Sequence, residues 1–493
     1  MKMGRSLLAY LPVNLANVLV SFGTIVVLTR LLSSEEFGRY AIAMITMQFV
    51  HMGTFTWMEA AMARFQARAE RDGDVPSHLR TLYGLGAGVG AGSVVIFLAM
   101  IHLLPLSAAL TTVLSFALAS ASLQILFNLG MEAHKAAHRI KRYSLTYSGQ
   151  TLLSFTVGMA LVVLTPLRES GPYVGIIIGL LVALCWDLPF MLRRQRKGVF
   201  DVVKSKTYAR YGFPICISLL LGYALNSADV YIIAGMMGEA SAGQYNAGYN
   251  LANRSLDILF IWLSMAVTPV AITAFEKTGS ESSRGIMKDY GASLLWIAMP
   301  AAVGIALVSK DAGFILGESV RAEAVTVMPF IAFSGLINGL ITYYVQRAFM
   351  FSGETGEFIW VMVPPVLLNI ALNLILVPKY GLLGAVIATL LGYALAFVLA
   401  VMLARRHYPL PWPIKASVEI AFACMVMAVV VLALPLGSLE PGFVTLCIKA
   451  VAGSAAYLTT CWAVNAADCR SILKAVIAKL RRRNAPDMLE AAE

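Results

Sequence analysis

Fourteen apolar stretches separated by short polar connections set the pattern of this chain. They run over 7–29, 38–61, 82–104, 108–130, 144–165, 172–192, 210–235, 244–272, 290–309, 325–346, 358–377, 381–404, 414–435 and 443–465. A helix needs about 20 apolar residues to cross a bilayer, and these stretches meet that length. The expected fold class is all-α integral membrane, with about 14 transmembrane helices.

The connections alternate in charge. Thirty of the 38 Lys and Arg residues fall in every second one, from Lys2 and Arg5 through Arg193, Arg194, Arg196 and Lys197 to Arg405, Arg406 and Lys415 and the basic tail. The other face carries Arg30, Arg39, Arg168, Lys310, Arg321 and Lys379. Only Arg254 and Lys449 lie inside apolar stretches away from their ends. Short-loop Lys/Arg bias sets orientation, so both termini are expected in the cytoplasm. Lys2 and Arg5 resemble the start of a signal peptide, but the apolar run continues too long and lacks a small-residue cleavage site. An uncleaved first span is expected.

Composition agrees with this class. The chain is 59% hydrophobic and 13% charged, against about 25% charged in a soluble domain. The net charge of +11 invites a nucleic-acid reading, but the basic residues sit on one membrane face, where anionic lipid is the nearer partner. No nucleic-acid partner is expected. The six cysteines show no CxxC spacing and read as packing residues. His134 and His138 have metal-ligand spacing without a third ligand, so no metal is expected. No Walker motif and no catalytic set emerge, and neither a cofactor nor an enzymatic activity is expected.

Two halves repeat. Gly38 and Tyr40 follow the first span, and Gly243 and Tyr245 follow the seventh, at an offset of 205. An even number of spans between them makes the repeat parallel, with a pseudo-twofold along the membrane normal and a cleft between halves. The expected division is a six-helix lobe over 1–192, a basic linker over 193–209, and a second six-helix lobe over 210–404. Helices 13 and 14 follow over 405–466, then a cytoplasmic amphipathic helix and tail over 467–493. In that tail Ile472, Leu473, Val476, Ile477 and Leu480 share one helical face, as expected of a helix lying on the membrane surface.

Ionisable residues at membrane depth mark candidate sites. Asp229 lies in span seven, and Arg254 and Asp257 lie three apart in span eight. Similar depths allow the three to meet, either as a charged cluster lining the cleft or as a structural ion pair joining two helices. The first half offers Asn14 and Asn17 in span one, Arg30 at its end, Glu59 near the inner end of span two, and Gln124 with Asn128 in span four. Asn338, Gln346, Arg347, Asn369 and Asn373 make a second polar group. Pro364 and Pro365 are expected to kink span eleven, and Gly84, Gly88 and Gly92 to form a close-packing face.

Several of these segments resemble one family. Arg30–Tyr40 (RLLSSEEFGRY), Gly238–Tyr249 (GEASAGQYNAGY) and Tyr380–Thr389 (YGLLGAVIAT) are similar to segments of the Wzx-like polysaccharide flippases of the multidrug/oligosaccharidyl-lipid/polysaccharide exporter superfamily. Asp229 stands where that family often has an acidic residue. The resemblance covers roughly residues 1–405. It implies two six-helix lobes around a central cavity in a bacterial inner membrane. It implies movement of undecaprenyl-diphosphate-linked oligosaccharide to the outer leaflet, beside a polysaccharide polymerase and co-polymerase. Arg254, Arg30, Arg347, Asn14 and Asn17 would meet substrate, and Asp229, Asp257 and Glu59 would carry coupling or tune charge. A cation-coupled drug exporter and an outer-leaflet polymerase or ligase are the alternatives.

Overall fold

The computed structural model describes residues 2–352, 355–437 and 439–471, with side chains described for all of these except 2–11, 266, 268–283, 355 and 407. The described chain is helical throughout. The first elements are α1 (Lys2–Leu31), α2 (Ser34–Val50), α3 (Thr56–Arg71), α4 (Val75–Leu103), α5 (Ala108–Ala136), α6 (Ile140–Leu164), α7 (Gly171–Gln195) and α8 (Val202–Met237). There follow α9 (Glu239–Ala312), α10 (Glu318–Leu340), α11 (Gln346–Ser352), α12 (Phe358–Tyr380), α13 (Leu382–His407), α14 (Ile414–Leu432) and α15 (Phe443–Val464). Turns of π-helix at His51–Phe55 and Ile341–Val345 join α2 to α3 and α10 to α11.

Twelve helices among the described residues are long and apolar enough to cross a membrane. The two remaining expected spans are present but differently built. Span 38–61 is broken by the π turn after α2, and span 244–272 shares α9, a helical run of 74 residues, with span 290–309. The expected helix count stands, and the chain is a multi-pass membrane protein. The proposed surface helix lies outside the described residues beyond Ser471.

Local chemistry sets several helix starts. Ser33 caps α2: its Oγ accepts from Glu36 N at 3.2 Å, while Glu36 Oε2 accepts from Ser33 N at 2.8 Å. This reciprocal S-x-x-E box satisfies two otherwise orphaned N–H groups. Asp201 caps α8 by accepting from Val203 N and Lys204 N.

The chain packs as two compact units. One comprises Met1–Leu251, Ile315–Val327 and Gly356–Ala396; the other comprises Ala252–Phe314, Met328–Thr355 and Phe397–Glu493. In the first unit α6 and α7 touch backbone to backbone. A Cβ on Gly175 would stand 2.5 Å from Gly158 Cα, and one on Gly179 would stand 2.1 Å from Ser154 Oγ. Small residues every four positions allow such contact where lipid supplies no hydrophobic drive.

The expected glycine face of α4 needs correction. Gly88 and Gly92 face open space, and Gly84 meets only the Phe200 ring. Gly86 and Gly90 are the ones that seat α5, against Leu129 and against Ser122 O with Ile125. α12 continues as helix through Pro364 and Pro365.

In the second unit Lys449, one of the two basic residues inside apolar stretches away from their ends, pairs with buried Asp311 at 2.6 Å. Together with the Tyr457 OH bond to Trp296 O, it ties α15 to α9.

Candidate functional site

At the end of the first unit away from the basic loops, the two repeated loop motifs interlock. A Cβ on Gly38 would lie 1.8 Å from Glu239 O, and one on Gly243 would lie 2.7 Å from Gly38 N. Only glycines permit α2 and the start of α9 to cross so closely. Arg39 fastens the crossing, donating from Nε to Glu169 Oε1 at 2.7 Å and from Nη1 to Glu239 Oε2 at 3.0 Å. Beside it Arg168 holds Glu36 at 2.8 Å and donates to Leu31 O. The hydrogen bond from Arg168 keeps the Glu36 carboxyl below its usual range. Gly317 N donates to Thr29 Oγ1, and Ser319 Oγ to Leu32 O. Residues from four separate stretches of the chain, Glu36 and Arg39, Arg168 and Glu169, Glu239, and Gly317 and Ser319, are thus gathered into one latch.

Deeper in the same unit three helices build a two-rung ladder. On the upper rung fully buried Asp229 (α8) accepts through Oδ2 from Tyr245 OH (α9) and from Thr389 Oγ1 (α13) at 2.8 Å. One turn along, Asn226 Oδ1 accepts from Tyr249 OH at 2.6 Å and from Tyr393 OH. Each helix supplies a pair three or four residues apart, which is why the rungs stack. On α12, Asn369 Nδ2 reaches Thr389 Oγ1 at 3.4 Å, and Asn373 Nδ2 donates to Asn369 O. Asp229 Oδ1, Asn369 Oδ1 and Asn373 Oδ1 are buried without a donor. A carboxylate at membrane depth with only neutral hydrogen-bond partners is costly. The unpartnered Asp229 Oδ1 suits a proton or a hard cation.

A second polar cluster flanks the first π turn. Glu59 Oε1 accepts from Asn128 Nδ2 at 2.9 Å and lies 3.2 Å from His51 Nε2, with both ionisable side chains under one-fifth exposed. Eight residues of regular helix rise about 12 Å; the π turn lies between His51 and Glu59, and their side chains still meet. Such turns recur at functional sites.

The remaining expected residues are not drawn into one centre. Asn14 is exposed, Asn17 is half-buried, and Arg30 ends α1 exposed. Asp229 binds Tyr245 and Thr389, whereas Arg254 and Asp257 belong to the second unit. There Asp257 accepts from Asn253 at 3.1 Å. Arg254 is exposed and acts electrostatically on Asp257, three residues further along the same helix. Arg347, just after the second π turn, donates from Nη2 to Ser264 Oγ at 2.9 Å, and its Nε is buried without an acceptor. The second polar group also separates: Asn369 and Asn373 belong to the first unit, Arg347 to the second.

A model of the "Polysaccharide biosynthesis protein" family matches residues 3–275, more than half of the chain. The chain belongs to this polysaccharide biosynthesis family. Two curated relatives come from Haloferax volcanii: the probable low-salt glycan biosynthesis flippase Agl15, 22% identical over 52% of each chain, and the probable flippase AglR, 25% identical over 56% of this chain and 57% of that one. The match thus spans about half the length of these relatives. Among solved structures, the lipid II flippase MurJ in an inward closed conformation superposes with a TM-score of 0.73, covering 92% of this chain and 98% of its own, at 14% identity. An inward-facing multidrug resistance MATE family transporter of the MOP superfamily gives 0.65, covering 78% and 93%, also at 14% identity. The superfamily fold expected from the loop motifs is therefore present.

Within this family member, His51 and the tyrosines of the ladder escaped sequence reasoning. His51 sits mid-way along an apolar stretch, and the rule that flagged Glu59 at membrane depth applied equally to it. His134, considered for metal binding, instead pairs with Asp187 at 2.8 Å. α5 ends before His138, so the two histidines share no helical face.

Proposed function

We propose that the protein is a flippase that moves undecaprenyl-diphosphate-linked oligosaccharide from the inner to the outer leaflet of a bacterial inner membrane. It works by alternating access, for exopolysaccharide, capsule or O-antigen assembly, and performs no covalent chemistry. Both termini lie in the cytoplasm on the strength of the alternating loop charge. A polysaccharide polymerase and co-polymerase take the product onward. Lobes over 1–192 and 210–404 rock about a central cavity, with the helices over 405–466 beside them.

The observation that carries this reading is the glycine crossing of α2 and α9. A close-packed seam held by one bifurcating arginine is a closable end, and alternating access requires such an end. The family match and the relatives named as flippases support the substrate class. Arg254, an exposed cation on an apolar helix, offers fixed charge to a diphosphate. Arg347, Arg30, Asn14 and Asn17 are assigned further substrate contacts. Asp229, with Thr389, Asn369 and Asn373, is assigned the coupling cation or proton; occupancy there neutralises the carboxylate and ties α8, α12 and α13 together. Glu59 with His51, and Asp257, tune the charge elsewhere.

Proteoliposomes holding a fluorescent lipid-linked oligosaccharide test the assignment. Arg254→Ala should slow flipping at least tenfold with the protein still folded; wild-type rates would remove Arg254 from the substrate path. The likeness to a MATE transporter favours a second reading, a cation-coupled drug exporter. Its mark is drug resistance on expression that depends on Asp229.

A further inference from the structure

The basic end of α5, α6 and α7 carries a feature that flipping does not use. Three guanidinium groups surround one ring: the Cζ atoms of Arg139, Arg142 and Arg194 stand 4.7, 4.3 and 5.7 Å from the Phe190 centroid. Among the described residues Asp187 is the one carboxylate in ion-pair contact with them. It accepts from Arg142 Nε at 2.7 Å and is shared with buried His134. Arg139 and Arg194 make no ion pair among the described residues, although Glu70 acts on Arg194 at longer range.

Placement of a cation at a helix C-terminus accounts for Arg194, in the last turn of α7, but not for the arginines of α6. Arg139 is the N-cap of α6, and Lys141 and Arg142 lie in its first turn, where the helix dipole is positive and repels them. No side chain caps that turn. The first turn of α6 thus carries cations that its dipole disfavours, and a bound anion would offset that cost. Exposed apolar side chains lie close by in the same helices: Leu145, three residues after Arg142, is 69% exposed, and Trp186 and Leu192, near Phe190 in α7, are 65% and 51% exposed. An anion with acyl chains attached satisfies both surfaces at once.

We propose that this cluster binds the headgroup phosphate of an anionic phospholipid, with the guanidiniums donating in pairs to phosphate oxygens. The site stands independently of the flippase reading. The test is native mass spectrometry of the full-length protein in detergent, titrated separately with phosphatidylglycerol, phosphatidylcholine and undecaprenyl phosphate.

Phosphatidylglycerol should be retained over phosphatidylcholine. The Arg139→Gln/Arg194→Gln double variant, which spares the Asp187 pair, should weaken retention about 30-fold, at roughly 1 kcal/mol per charge lost. An Arg405→Gln/Arg406→Gln control removes two exposed charges elsewhere and should leave retention unchanged. Unchanged melting in phosphatidylcholine micelles confirms that the variants fold. Equal losses in both double variants, or no loss in the first, would overturn the site. A preference for undecaprenyl phosphate over phosphatidylglycerol would also overturn it, because the cluster would then serve the transported lipid.

Discussion

Gly38→Ala perturbs the crossing of α2 and α9 with one methyl group. Its Cβ would start 1.8 Å from Glu239 O, and real Cβ atoms stay beyond about 3.0–3.4 Å. The helices must part by about 1.2–1.6 Å. The same movement stretches the 3.0 Å Arg39–Glu239 contact past 4 Å. Those side chains are only 15% and 24% exposed, so solvent screening does not cancel the loss. A charge-assisted hydrogen bond contributes about 1.5–3 kcal/mol, and overpacking costs about 1–3 kcal/mol. Both penalties fall on the crossed state alone. The lower sum, about 2.5 kcal/mol, shifts the balance toward the parted state at least about 50-fold.

The reporter is a cysteine at fully buried Ala242, in a background lacking the six native cysteines, treated with a membrane-impermeant maleimide. Labelling should rise at least tenfold while flipping falls. Gly88→Ala faces open space and is the control. If Gly38→Ala labels and flips like that control, the crossing is not a gate.

Three further outcomes follow from the described geometry. Asp229→Asn keeps the bonds from Tyr245 and Thr389 but removes the charge; flipping should lose its dependence on sodium or pH and slow at least tenfold, as measured in proteoliposomes with imposed gradients. His51→Asn and Glu59→Gln should each slow transport about as much as the double variant, since contacting partners act as one unit; additive losses would separate them. Because Arg168 lowers the Glu36 carboxyl from 4.5, their pair stabilises the fold fully above that value and fades as pH falls through the lowered one. Melting in detergent from pH 5 to 3 should therefore fall less steeply in Arg168→Gln than in wild type; parallel curves would remove this pair from the acid response.

Much of the fold was legible because crossing lipid imposes a length on each apolar stretch and a charge bias on the loops between. The capping box at Ser33 and Glu36 is equally local. Asp229 was legible as a charge with no loop to claim it. Its partners were not: Tyr245 and Thr389 sit 16 and 160 residues away, and a tyrosine in an apolar stretch carries no mark of its role. The glycines of α4 failed for a geometric reason. Gly84, Gly88 and Gly92 share one helical row, while Gly86 and Gly90 share another, about 200° around the helix. Spacing of four identifies two rows and cannot say which one meets α5. Span two read as one helix because a π turn changes hydrogen bonding without changing the apolar pattern.

The glycine crossing and the ladder share one short piece of helix. Glu239, Gly243, Tyr245 and Tyr249 all lie on the first eleven residues of α9, about 15 Å of rise. The residue at the crossing and the residue donating to Asp229 are two positions apart. A rigid helix cannot part from α2 at Gly243 while leaving the Tyr245 hydroxyl fixed, so on the proposed mechanism charge neutralisation at Asp229 and opening at the crossing would bear on one another. Tyr245→Phe isolates this link. It keeps the buried ring and removes a single donor, leaving Asp229 bonded to Thr389. In wild type, maleimide labelling at Ala242→Cys should change when sodium or pH is varied. In Tyr245→Phe that response should fall at least fivefold, with the protein still folded. If the response survives intact, the ladder and the gate communicate by some route other than this hydroxyl.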